Sequence, residues 1–202
     1  MMFRYLLLLL SLGCGSQNGE TATNNHATPE ETNDVNTIII NELEEEEECL
    51  YINGYKPCNF TTFDVNGNEV NLHDFEGKPF IVDISAMWCG PCQRAGSEVQ
   101  SVQDAHAEHN LQYITLLIEN TSGETPSASD LTLWAQEMGI TTAPILGGSR
   151  DLLTSDPTMT ADGFYLRAWP TFYFFNSEMR MVAYQVGADD ATLQSNIQLI
   201  ID

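Results

Sequence analysis

Residues 49–202 predict one α/β domain, and two runs of sequence carry that prediction. Pro79-Phe80-Ile81-Val82-Asp83-Ile84-Ser85 is a compact apolar segment of the length of a strand buried on both faces. Beyond Cys92, small or apolar residues at Ala95, Val99, Val102 and Ala105 or His106 recur at helical spacing towards His109. The alternation then repeats. Tyr113 to Ile118 reads as a strand, Leu131, Trp134, Ala135 and Met138 stripe a helix ending at Gly139, and Ile140 to Leu146 is extended. An apolar content of 43% in 202 residues is ample for one packed core.

Charge divides the chain. Seven Lys and Arg against 29 Asp and Glu give a net charge of −22, which repels phosphate backbones and excludes nucleic-acid binding. Up to Leu50 the only basic side chain is Arg4, and the acids culminate in Glu44 to Glu48; from Tyr51 onward both signs mix. The boundary lies near residue 49. Before it, residues 15–48 are mostly polar, too poor in apolar surface to offset their ordering entropy, and read as a flexible acidic tether.

Residues 1–14 read as a targeting segment. Arg4 precedes the apolar run Leu6 to Leu10, too short to span a bilayer, which takes roughly 20 residues. Gly13 then precedes Cys14, an arrangement that resembles the bacterial lipoprotein signal, although Ser11 stands where that signal usually has Leu. The resemblance implies lipidation of Cys14 and anchoring at the periplasmic face of a membrane, with Gly15 favouring the outer one. A plain secretory signal is the alternative. Lipidation also resolves the odd count of five cysteines. Cys49 and Cys58 bracket a short loop that a structural disulfide would close in an oxidising compartment. Two free thiols, or a second redox pair, are the alternatives.

The remaining pair, Cys89 and Cys92, forms a C-x-x-C in Trp88-Cys89-Gly90-Pro91-Cys92, placed between the buried strand and the helix. A helix N-terminus stabilises a thiolate, so Cys89 is the expected nucleophile, and Pro91 fits the first turn, where an N–H has no helical partner. Cys92, more buried, is the expected resolving cysteine. Asp83, the one charged residue of the strand, is the expected proton relay to Cys92, since burial raises a carboxyl's pKa.

The stretch from Val82 to Cys92 resembles the active-site strand and motif of the thioredoxin family. Arg167-Ala168-Trp169-Pro170-Thr171-Phe172-Tyr173-Phe174-Phe175 resembles that family's cis-proline segment, and Met181 to Gly187 its last strand. The likeness covers roughly Cys58 to Ile201. It implies a thioredoxin fold, a central mixed sheet flanked by helices. It also implies a cis Pro170 beside the cysteines, a client strand pairing with the backbone of Trp169, and substrate contact along Trp169-Pro170-Thr171. The opening from Phe60 to Gly67, with an Asn66-Gly67 turn before Glu69 to Leu72, and the long interval before Pro170 are similar to the TlpA/ResA-like branch. These two features are an N-terminal hairpin and an insertion between the active-site helix and the cis-proline. Ser97 stands where thioredoxins commonly have a helix-kinking proline.

The expected activity is thiol–disulfide exchange with disulfide-bearing protein clients, recharged by a membrane or periplasmic thiol partner. The chain is expected to act as a monomer, with no cofactor beyond the cysteine pair and no metal. Two other activities remain in view: a copper-binding module using Cys89 and Cys92 as soft ligands, and a thiol peroxidase. The peroxidase motif has Thr and Pro where this chain has Ala86 and Val82. His106 and His109 read as a polar helix end. Glu119, directly after a strand, is a position where some relatives hold an acidic residue facing the site, but it is not assigned to the site.

Overall fold

The computed structural model describes residues 48–158 and 163–201. The signal segment with Cys14, and the tether before Glu48, lie outside the described residues.

The described strands are β1 (Thr61–Phe63), β2 (Glu69–Asn71), β3 (Phe80–Ala86), β4 (Gln112–Glu119), β5 (Ile145–Gly147), β6 (Leu153–Thr154), β7 (Phe164–Tyr165), β8 (Thr171–Phe175) and β9 (Met181–Val186). Seven of them form a mixed sheet in the order β2-β1-β5-β4-β3-β8-β9, while β6 and β7 pair separately. The centre, β5-β4-β3, is parallel; β8 and β9 extend it antiparallel on one side and β1 and β2 on the other. β1 and β2 are the expected hairpin. Its turn is held by the Asp64 carboxylate, which accepts the N–H groups of Asn66 (2.8 Å) and Asn68 (2.9 Å). Gly67 supplies the left-handed residue, at φ +78.

The helices are α1 (Gly90–Gly96), α2 (Val99–Ala105), α3 (Ala128–Met138) and α4 (Asp190–Ile201). The continuous helix expected from Cys92 towards His109 is broken between α1 and α2, and a 3-10 turn follows at Ala107–His109. Ser97 is the reason. Its hydroxyl donates to the Arg94 carbonyl at 2.7 Å, and the Glu98 N–H turns instead to Ala95 O at 3.0 Å. The run from Ile140 pairs with the sheet only from Ile145, because bends at 141–143 are tied to Gln100, whose Oε1 accepts from Thr141 and Thr142.

Strand parity sorts the core into two layers. Ile81, Tyr113, Leu117, Phe172 and Phe174 pack with Val99, Leu131, Trp134 and Ile197 from the helices. Phe80, Val82, Ile84, Leu116, Tyr173 and Phe175 pack on the opposite face with Tyr51, Leu72, Phe75 and Phe164. Because β3, β4 and β5 advance in one direction, right-handed crossovers put α2 and α3 on the same face. Gly96 lets α1 and α3 meet; a Cβ there would lie 2.8 Å from the Trp134 ring.

Cys49 and Cys58 are joined by a disulfide, with Cα atoms 4.7 Å apart. Their loop pairs with the free side of β9 through Gly54 N–H to Met181 O (2.8 Å) and Met181 N–H to Tyr55 O (3.0 Å). Tyr51, within the loop, packs its ring 4.3 Å from that of Phe164.

Candidate active site

β3 ends at Ala86, and three residues later Cys89 caps α1. Cys89 is extended (φ −84, ψ 110), and its sulfur accepts the Cys92 N–H at 3.2 Å. An N-cap normally offers oxygen; here sulfur takes the place, so the thiolate of the reduced pair would face the unpaired N–H groups of the first turn. Pro91 stands in that turn, as expected. The Gln93 side chain ties the turn down by donating to Met87 O at 2.7 Å. Cys89 and Cys92 are joined by a disulfide, with Cα atoms 5.2 Å apart. Cys89 is 4% exposed and Cys92 fully buried.

Asp83 lies on the same face of β3 as Ile81 and Ser85, the face that α1 covers. It is fully buried, and desolvation pushes its pKa up from 3.8 to about 7, against the opposing pull of a hydrogen bond from Ser85 Oγ (2.7 Å). The other carboxyl oxygen, Oδ2, has no protein partner, and neither has Oγ1 of Thr115, which stands directly opposite on β4. The Tyr113 phenol is raised well above its ordinary value by burial, then by the charges of Asp83 and Asp190. Tyr113 and Phe172 help line a cleft of about 340 Å³ that runs from Arg94 to Asp190. An acid with a pKa near neutrality, on the sheet face that the cysteine-bearing helix covers, can take and return a proton.

The Trp169–Pro170 bond is cis. Pro170 O accepts the Gly187 N–H at 2.8 Å, which fastens the loop to the end of β9. Trp169 is half-buried and packs against the layer that holds Cys89 and Cys92. Thr171 follows in β8. Its side chain is fully buried and its hydroxyl donates to Ala168 O at 2.7 Å, which ties the end of the proline loop together.

Two residues join the site without having been assigned to it. Glu119, only 4% exposed, accepts the Trp88 indole N–H at 2.7 Å and pairs with the guanidinium of Arg150. Trp88 and Trp169 meet edge to face with ring centres 5.9 Å apart. Glu119 had the signal of a strand end; Arg150 had none.

Residues 54–184 match the AhpC/TSA family. Over 68 residues the chain is 26% identical to the thiol-disulfide oxidoreductase ResA of Bacillus thuringiensis and 28% identical to that of Bacillus cereus. Each match covers 34% of this chain and 39% of the relative, so it spans about two fifths of the relatives' length. Among solved structures, a thiol:disulfide interchange protein of the thioredoxin family from Chlorobium tepidum superposes with a TM-score of 0.59 at 16% identity, covering 75% of this chain and 99% of that one. The exposed lipoprotein thioredoxin of Streptococcus pneumoniae gives 0.51 at 22%, covering 70% and 99%. At such identities the likeness establishes the thioredoxin-like fold.

Proposed function

This chain belongs to the AhpC/TSA family, and on that premise we propose that it is a thiol–disulfide oxidoreductase acting on protein disulfides through Cys89 and Cys92. One observation carries the reading: the cysteine pair caps α1 on the sheet face that buries Asp83, whose carboxyl titrates near neutrality. The curated relatives, themselves thiol–disulfide oxidoreductases, are consistent with it.

In the reducing direction, the Cys89 thiolate attacks one sulfur of a client disulfide and bonds to it, the client S–S bond breaks, and the other client sulfur leaves as thiolate. Cys92 then gives its proton to the Asp83 carboxylate and attacks the Cys89 sulfur. The mixed disulfide breaks, the second client sulfur leaves, and two electrons have passed from the pair to the client. The reverse sequence oxidises a client dithiol. A membrane or periplasmic thiol partner restores the starting state, and no cofactor takes part. The pattern around Cys14 supports anchoring at the periplasmic face of a bacterial membrane, and no helix among the described residues is long and apolar enough to cross one.

Trapping tests the proposal. Cys92→Ser removes the resolving sulfur, so a client should stay covalently bound to Cys89 and be released by dithiothreitol. No client trapped from envelope extracts, together with full exchange activity in Cys89→Ser, would overturn the reading. The family match also keeps peroxide in view as a substrate. Peroxide consumption no faster than that of free cysteine excludes it.

A further inference from the structure

The cysteine chemistry leaves unused a second buried carboxylate, Glu119, at the end of β4. We propose that Glu119, braced by Arg150, is a positioning residue that locks the Trp88 indole against Trp169, and that the two indoles together receive an apolar side chain next to the client's cysteine. This inference rests on the disulfide-exchange reading above.

Four features of the fold converge on Glu119. β4 carries one extra residue against β3, so Glu119 rather than Ile118 stands opposite Ala86, where the chain turns out towards Trp88. The backbone is fastened there too, by the Met87 N–H to Glu119 O at 2.9 Å. Beyond it, the loop is closed by Asn120, whose Oδ1 accepts from Ser122 (2.9 Å) and Glu124 (3.1 Å). On the other flank, Gly148 donates its N–H to Leu117 O at 2.8 Å. Ser149 then caps the short turn Arg150–Leu152, and Arg150 is delivered to the carboxylate from there.

The chemistry explains why a carboxylate stands here. An indole N–H donates one hydrogen bond, and a charged acceptor holds it about twice as strongly as a neutral one. A buried carboxylate must itself be neutralised, and Arg150 does that while keeping its own head in water. The result is a fixed indole that is still 47% exposed, edge-on to Trp169 beside the cis-proline loop. A tryptophan held before binding loses little freedom on contact, and this is how aromatic anchors at interfaces contribute affinity. Trp88 thus becomes a recognition surface for the residue beside the disulfide.

The test compares two disulfide peptides of one scaffold, differing only in Phe or Ser beside the attacked cysteine. In wild type the Phe peptide has the lower KM. With Glu119→Ala the KM of the Phe peptide rises about tenfold, the worth of one charged hydrogen bond. That of the Ser peptide moves by less than about twofold. Glu119→Gln, which still accepts from the indole, restores most of the preference, and Arg150→Ala gives an intermediate loss. The Trp88 indole N–H resonance, one of three in the chain, is read by NMR without turnover and shifts in Glu119→Ala. An unmoved resonance, or a loss falling equally on both peptides, overturns the proposal. If wild type exchanges neither peptide faster than Cys89→Ser, the oxidoreductase reading fails instead, and the resonance still decides whether Glu119 holds Trp88.

Discussion

The two disulfides among the described residues have sulfurs in opposite surroundings. Cys49–Cys58 closes a loop laid along β9, with Tyr51 packed on Phe164 and backbone hydrogen bonds to Met181. Cys89–Cys92 caps a helix on the sheet face where Asp83 lies buried with one oxygen unpartnered. Bond type does not separate them; what each sulfur meets when the bond opens does. A thiolate at Cys89 would be met by the N–H groups of the first turn, and the proton of Cys92 by the carboxylate of Asp83. For the outer bond the visible consequence is a shorter loop in the unfolded chain.

Mutation can break that contrast at its strongest point. Cys89→Ser should lower protein-disulfide exchange by at least about a thousandfold, as loss of a nucleophile does. Cys49→Ser with Cys58→Ser should leave exchange standing. Insulin reduction, or scrambled-protein refolding, measures both, and equal losses would erase the distinction.

Asp83 is the next lever. Its carboxyl keeps a proton to about pH 7 when folded but only to about 3.8 when exposed, so between those values the folded state binds more protons. Stability therefore falls as pH rises through that window and levels off above it. Asp83→Asn should remove the fall and make the protein more stable above pH 7, by up to roughly 4 kcal/mol. In the same variant Cys92 loses its proton acceptor. Resolution of a preformed mixed disulfide, which in wild type should accelerate with pH up to about 7, is expected to slow about 100-fold and lose that slope. Stopped-flow and denaturant titration across pH 4–8 read the two effects.

The outer disulfide is worth less. Opening it with the double Ser variant should cost about 2–3 kcal/mol of unfolding free energy, by the entropy of a ten-residue loop, seen as a lower urea midpoint. Ser85→Ala should have the smallest effect. It removes the one hydrogen bond that opposes the rise at Asp83, so the inflection in the pH profile should move further up, by less than one unit.

The parts of the site that were readable early are those whose cause is local. Asp83 is the only charge in an apolar run, and parity along β3 puts it on the helix-facing side. Ser85 shares that face by the same parity, but its hydrogen bond to Asp83 is seen only in the structure. The hairpin at Asn66-Gly67 follows from turn chemistry. The break at Ser97 was hidden because a serine's competition with the backbone leaves no gap in a hydrophobic stripe. The burial of the Thr171 side chain goes with a hydrogen bond to Ala168 O across the proline loop, which no pattern in the sequence announces.

The C-x-x-C at a strand-to-helix turn and an acid six residues before it in a buried strand were determined by the sequence itself, while the proline loop entered only through the resemblance to the thioredoxin family. Periodicity, capping and composition act over a few neighbouring residues, and that range is legible in one dimension. The tertiary structure alone decided that Glu119 holds Trp88, that Arg150 holds Glu119, and that Thr115 stands opposite Asp83. Each of these pairs is about thirty residues apart in the chain. Their meeting depends on strand register, on one extra residue in β4 and on the close approach at Gly148, and a polar contact made that way leaves no repeating pattern to read.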